Sequence, residues 1–128
     1  MIMKTILVDA VDTFIIEGQG IFEPMHTLLE SFDNQKIILT GANDEQFVKF
    51  GLDKMPYEVF TLKHEPEKTN PEYFEKMLKH FNLSNEDVVY FEHDPEAVQS
   101  AESVGIKTYY DPEQQNLEQL KHFLDENI

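Results

Sequence analysis

Residues 4 to 13 read KTILVDAVDT. Ile6, Leu7 and Val8 are consecutive apolar residues, two of them β-branched, which predicts a strand covered on both faces over residues 4 to 8. The run ends in two carboxylates, Asp9 and Asp12, and a hydroxyl, Thr13. An acid at the end of a buried strand is costly unless it sits at the rim, where water, a cation or a substrate meets it. In open parallel sheets that rim is where ligands bind. Asp9 is therefore the first candidate for chemistry.

Working outward, Glu17-Gly18-Gln19-Gly20 between two short apolar runs predicts a hairpin with a glycine turn. Glu23-Pro24 opens a helix carrying Met25, Leu28, Leu29 and Phe32. Lys36 to Thr40, KIILT, is a second buried strand. Asn43 and Gln46 are spaced as a capping box for a helix carrying Phe47, Val48 and Phe50, with Gly51 at its end. Glu58 to Leu62 is a third strand. Asn70-Pro71 caps a helix with Phe74, Met77, Leu78 and Phe81 on one side. Val88 to Glu92, VVYFE, is a fourth strand. Asp94-Pro95 opens a helix carrying Ala97, Val98 and Ala101 and closed by Gly105. Ile106 to Tyr110 is a fifth strand, with Tyr109-Tyr110 at an edge. Leu117, Leu120, Phe123 and Leu124 mark a last helix. Strands alternating with helices imply a parallel sheet with right-handed crossovers in a three-layer α/β/α sandwich. No repeat or linker interrupts it, so residues 1–128 are expected to form a single domain.

The formal net charge of −15 argues against nucleic acid or an anionic membrane as partner, since both need a basic footprint. It would also repel a phosphorylated substrate unless a cation or a local lysine reversed the sign at the site. There is no cysteine, hence no disulfide, thiolate nucleophile or thiolate metal site. No apolar run approaches the roughly 18 residues of a membrane span, and MIMKTILVDA is too short and too soon acidic for a secretory signal. A cytoplasmic protein is the expectation. His26, His64, His80 and His122 are expected on the surface.

Four places line up at strand ends: Asp9; Thr40-Gly41; Lys68, in KTNPEYF just before a helix; and Glu92-His93-Asp94. In a doubly wound sheet they converge on one crevice, able to hold a phosphoryl group and a cation. The order hhhhDxxxT, hhhhTG, KxxPxxF and a strand ending in acid, followed by SAESVG, resembles the haloacid dehalogenase-like superfamily over nearly the whole chain. The resemblance implies a doubly wound, five-stranded parallel sheet. It also implies a small β-hairpin flap after Asp9 and, because so little chain separates Thr13 from Lys36, no large cap.

Carried onto this sequence, the family's chemistry has Asp9 attack phosphorus to form an aspartyl-phosphate. Thr40 and the N–H groups beside Gly41 would bind phosphoryl oxygens, and Lys68 would neutralise the intermediate. Mg²⁺ would be held by Asp9, the carbonyl of Val11 and an acid after the fourth strand, Glu92 or Asp94. Two positions depart from the pattern. Val11 stands where phosphatases of the family place a proton-transferring aspartate, and the acid falls one residue later, at Asp12. Loss of proton transfer removes a factor of roughly 10²–10⁴, so a slow Mg-dependent phosphohydrolase is implied.

The second departure is His93, which stands where a metal-binding aspartate is expected and reads equally as a packed, hydrogen-bonded histidine. The two departures together suggest an alternative, a catalytically impaired ligand- or protein-binding module. A dehalogenase-like hydrolase is a third reading, since that branch needs neither the acid at position 11 nor a metal, although it usually has a cap. An open crevice suits a phosphorylated substrate that is large, or an oligomer whose neighbour acts as the lid. The oligomeric state is left open.

Overall fold

All five residues of β1 (Thr5–Asp9) are buried, and the rest of the chain packs around them. The computed structural model describes residues 3–112 and 116–128. After β1 comes a hairpin of β2 (Ile15–Ile16) and β3 (Gly20–Ile21), then α1 (Glu23–Glu30), β4 (Lys36–Thr40) and α2 (Asp44–Lys49). There follow β5 (Glu58–Thr61), α3 (Pro71–Phe81), β6 (Val88–Glu92), α4 (Pro95–Ser103), β7 (Lys107–Tyr110) and α5 (Leu117–Asn127). The main sheet has the order β5-β4-β1-β6-β7, and every pairing in it is parallel.

The run Ile6-Leu7-Val8 is buried on both sides because successive side chains of a strand point to opposite faces. Ile6 and Val8 pack in a cluster with Met25 and Leu29 of α1 and Leu120 and Leu124 of α5. Leu7 packs in a second cluster with Tyr73, Phe74 and Met77 of α3 and Ala101 of α4. Each such side chain, fully buried, contributes about 1.5–3 kcal/mol. A strand with one wet face would forfeit that contribution at every second residue. Two helix layers therefore cover one sheet, which is the three-layer sandwich expected.

Local signals set the element ends. Asn43 Oδ1 accepts the Gln46 N–H at 2.9 Å while Gln46 Oε1 accepts the Asn43 N–H at 3.0 Å, the reciprocal capping box. Asn70 caps α3 through the Glu72 N–H at 3.0 Å. In the hairpin, Gly18 and Gly20 adopt φ of +80° and +91°, which side chains resist. One expectation fails in α2. Val48 is 68% exposed, because in a helix of only six residues Phe47 and Phe50 define the inner face and Val48 lies off it. Among the described residues, no helix is long and apolar enough to cross a membrane.

The strand order positions the site. From β1 the chain builds outward through β4 and β5, then crosses back to lay β6 against the other edge of β1. The crevice at such a reversal lies beyond the carboxyl ends of the strands on either side of it. Pairing of β1 with β6 runs to Val8 opposite Phe91, so Asp9 and Glu92 follow side by side at that rim.

Candidate functional site

Asp9 is 2% exposed and its two oxygens are treated differently. Oδ1 accepts from Lys68 Nζ at 2.5 Å. Oδ2 collects three donors: Thr13 Oγ1 at 2.7 Å, the His93 backbone N–H at 3.3 Å, and His93 Nδ1. Thr13 lies one tight turn beyond Asp9, a turn closed by the Phe14 N–H bonding to the Ala10 carbonyl at 2.9 Å.

Lys68 reaches in from the loop between β5 and α3. Besides Asp9 it donates to Glu92 Oε1 at 2.8 Å, and to Tyr90 Oη and the Leu39 carbonyl at 3.3 Å each. Glu92, fully buried, completes the cluster. Its Oε1 takes Lys68 and the Tyr90 hydroxyl, and its Oε2 takes the backbone N–H groups of His93 and Asp94 at 3.1 Å each.

Burial alone would push the Asp9 carboxyl up, but the Lys68 ammonium and the His93 hydrogen bond outweigh it and hold the group far below the ordinary carboxylate range. For Lys68, burial works against the charge, and the Asp9 and Glu92 carboxylates reverse the balance and raise its pKa. The His93 imidazole is pushed up to about 10, first by its hydrogen bond to Asp9, with the Glu92 carboxylate beside it adding to the effect. Burial, with Glu92 alongside, raises the Tyr90 phenol so that it stays a donor. At neutral pH the cluster holds an ionised Asp9 beside a permanent ammonium.

Next to it opens a pocket of about 190 Å³ lined by residues that include Thr40, Gly41, His64, Glu67, Lys68 and Asp94. Thr40 is held from two sides. Its carbonyl accepts from Tyr73 Oη at 2.8 Å, and its Oγ1 accepts the Ala42 N–H at 3.2 Å, so the hydroxyl proton is available to donate. A Cβ at Gly41 would stand 3.4 Å from His64 Nδ1, so a side chain there would crowd the wall.

Of the residues singled out from sequence, Asp9, Lys68 and Glu92 meet directly, and Thr40, Gly41, Lys68 and Asp94 share the pocket. Asp94 also spends its Oδ1 on the N-terminus of α4, accepting from the Glu96 N–H at 2.9 Å. Val11 is half-buried in the turn after β1, bridged to Ile15. Asp12 does not join the group. It is exposed, with φ of +67°, and its N–H is tied to the Ile15 carbonyl at 2.7 Å. A shift of one residue in so tight a turn reverses the side chain's direction. Tyr90 was missed, although its spacing of two from Glu92 on one strand places both on the same face. His64 and His26 are half-buried rather than surface residues. His64 bonds Gln46 Oε1 at 2.6 Å, and His26 packs against the rings of Phe14 and Tyr57.

Asp9, Glu92 and His93 each bring a ligand-type atom within 4.8 Å of the others, a grouping of the kind that can hold a metal. Their hydrogen bonds leave little for one. A carboxylate has about four lone-pair sites, and Glu92 uses all four on Lys68, Tyr90 and two backbone N–H groups. Asp9 Oδ2 already meets three donors. A divalent cation would have to displace several of these buried bonds, at about 1–3 kcal/mol for each group left unsatisfied. Imidazole is, besides, a poor ligand for Mg²⁺, which prefers oxygen. Magnesium does not fit these side chains as they stand.

No family model and no curated protein matches the sequence. Solved structures do match in shape. A haloacid dehalogenase-family enzyme from Bacteroides thetaiotaomicron, an aspartate-to-alanine mutant in complex with magnesium and inorganic phosphate, superposes with TM-score 0.69 at 12% identity, over 92% of this chain and 98% of that one. The core domain of a candidate phosphoglycolate phosphatase from Streptococcus pneumoniae gives TM-score 0.63 at 15% identity, over 98% and 97%. A candidate β-phosphoglucomutase from Thermotoga maritima gives 0.59 at 15%, over 84% and 85%. The fold is the haloacid dehalogenase-like fold.

Proposed function

We propose that this chain is a slow phosphohydrolase of the haloacid dehalogenase-like type, acting through Asp9. The observation that carries the reading is the asymmetric hold on that carboxylate. Three donors fix Oδ2, while Oδ1 meets Lys68 beside a pocket that Thr40 and Lys68 help to line. An ionised, oriented oxygen next to an ammonium is what attack on phosphorus requires. Asp9 Oδ1 would bond to phosphorus as the ester P–O bond breaks, and the departing oxygen would take a proton from water. A second water would then attack the aspartyl-phosphate, releasing phosphate and restoring Asp9. Lys68 would offset the charge added at Asp9, and the Thr40 hydroxyl would donate to a phosphoryl oxygen. Magnesium, when bound in enzymes of this fold, supplies further charge neutralisation; no step here is routed through it. The neighbour holding magnesium and phosphate and the neighbour described as a phosphatase support the substrate class.

The test is phosphate release from p-nitrophenyl phosphate, with and without magnesium, against Asp9→Asn. Activity in the first protein and none in the second is expected; equal rates would overturn the proposal. Asp12 gives a sharper check on the machinery. Asp12→Gly places the residue best suited to φ of +67° in the turn. It is expected to change stability by less than about 1 kcal/mol and to leave phosphate release as it was. A fall of tenfold would return Asp12 to the reaction.

A second reading is favoured by Val11 and by the outward place of Asp12, which together leave no acid where one is needed for proton transfer. The crevice would then bind a phosphorylated ligand, large enough to extend beyond the small pocket, without turning it over. Saturable phosphate binding in calorimetry, with no turnover across a broad phosphomonoester screen, would decide for it.

A further inference from the structure

We propose that His93 stands in place of the divalent cation at this crevice, so that the site receives a phosphoryl group without metal. His93 follows the acid of β6, at the position where the resemblance expects a metal-binding aspartate. Its ring turns inward, and Nδ1 bonds to Asp9 Oδ2, the oxygen left over once Oδ1 faces Lys68. Thr13 Oγ1 lies 3.4 Å from the same Nδ1 and Glu92 Oε2 lies 3.3 Å from it. One ring nitrogen thus lies within 3.4 Å of all three oxygens. Because Nδ1 faces a carboxylate, it carries a proton and acts as donor. A proton so placed does for Asp9 Oδ2 what a cation would do. It fixes the oxygen and fills the space beside it.

The two acids expected as further ligands carry other bonds. Glu92 is saturated, and Asp94 Oδ1 caps α4. His93 is a positioning residue in this scheme, acting through Asp9. The inference takes its ligand class from the phosphohydrolase reading, but its decisive measurement is metal binding rather than turnover.

Titration of the wild-type protein with magnesium chloride in a calorimeter is expected to give no saturable heat. Its affinity for inorganic phosphate is expected to change less than about twofold when EDTA is added. In His93→Asp a carboxylate replaces the blocking N–H, and magnesium is expected to bind and to raise phosphate affinity at least about tenfold. His93→Asn, which can still donate to Asp9 Oδ2, is expected to stay indifferent to magnesium. Saturable magnesium binding by the wild type would overturn the inference, as would a folded His93→Asp that remains indifferent. Should His93→Asp not fold, the wild-type titration decides alone. A wild type that ignores magnesium and also hydrolyses nothing would sink the enzyme reading and leave this one standing.

Discussion

Replacing Lys68 by methionine is expected to destabilise the protein by about 3–5 kcal/mol, a shift of the urea midpoint on the order of 2 M. An exposed ion pair is worth only about 0–1 kcal/mol, so the size of the loss distinguishes the two situations. The side chains of Asp9 and Glu92 are 3% and 0% exposed and Lys68 is 15% exposed, which puts the trio in the buried class. Methionine keeps the apolar stem and removes the ammonium, leaving two buried carboxylates to face each other. The pH dependence should invert. In the wild type the Asp9 pKa is depressed, so its contribution is present above the unfolded value of 3.8 and is lost as pH falls. Without Lys68, burial and the neighbouring carboxylate are opposed only by the donors on Oδ2, so the Asp9 pKa rises and the stability lost with the ammonium is partly regained as pH falls. Mild acid should therefore rescue Lys68→Met, whereas the wild type gives up the Asp9 contribution only below the unfolded value of 3.8. Urea unfolding at neutral pH, at mildly acid pH and below the unfolded aspartate value of 3.8 reads both effects. A loss below about 1 kcal/mol with the wild-type pH trend would mean that the cluster does not bear on the fold.

The contrast between what the residues announced and what they concealed follows from how side-chain direction is set. In β1, β4 and β6 the backbone alternates faces regardless of detail, so a run such as Ile6-Leu7-Val8 reports both its strand and its two-sided burial. Lys68 was legible because Asn70-Pro71 marks a helix start, and a lysine just before a helix at that end of a parallel sheet has a crevice to enter. Residues in turns obey no such period. Asp12 sits at φ of +67°, and Lys63 and His64 lie at +54° and +67°; a one-residue difference there sends a side chain into the pocket or out to water. Pattern alone therefore left Asp12 a candidate beside the proton-transfer position, no better placed than a solvent-facing acid, and put His64 on the surface. His93 lies between these cases. The residue after a strand was expected at the crevice, but whether its ring turned inward depended on Asp9 and Thr13, which only the fold brings within reach.

Val11→Asp is expected to raise the rate on alkyl phosphates by about 10²–10⁴, the usual contribution of a positioned proton donor. The turn that would present the new carboxylate already exists. The Thr13 and Phe14 N–H groups bond to the Ala10 carbonyl at 3.2 and 2.9 Å, and the Asp12 N–H bonds to Ile15 O at 2.7 Å. None of these bonds involves the Val11 side chain. Val11 is half-buried at the margin of the apolar cluster on one face of the sheet, so the new carboxylate, close to valine in size, has a wet side to turn to. The gain should depend on the leaving group. An alkoxide needs a proton as it departs, whereas p-nitrophenolate is stable without one, so the alkyl ester should gain more. Hydrolysis of the aspartyl-phosphate would draw on the same carboxylate as a base, so the aryl ester should gain something too. A new falling limb should appear in the pH profile of the variant as pH rises through the pKa of the added carboxyl, because the carboxyl must hold its proton to act. Parallel measurements of kcat on one alkyl and one aryl phosphate test the prediction. If a folded Val11→Asp hydrolyses the alkyl ester no faster than the wild type, a missing proton donor is not what limits the proposed reaction.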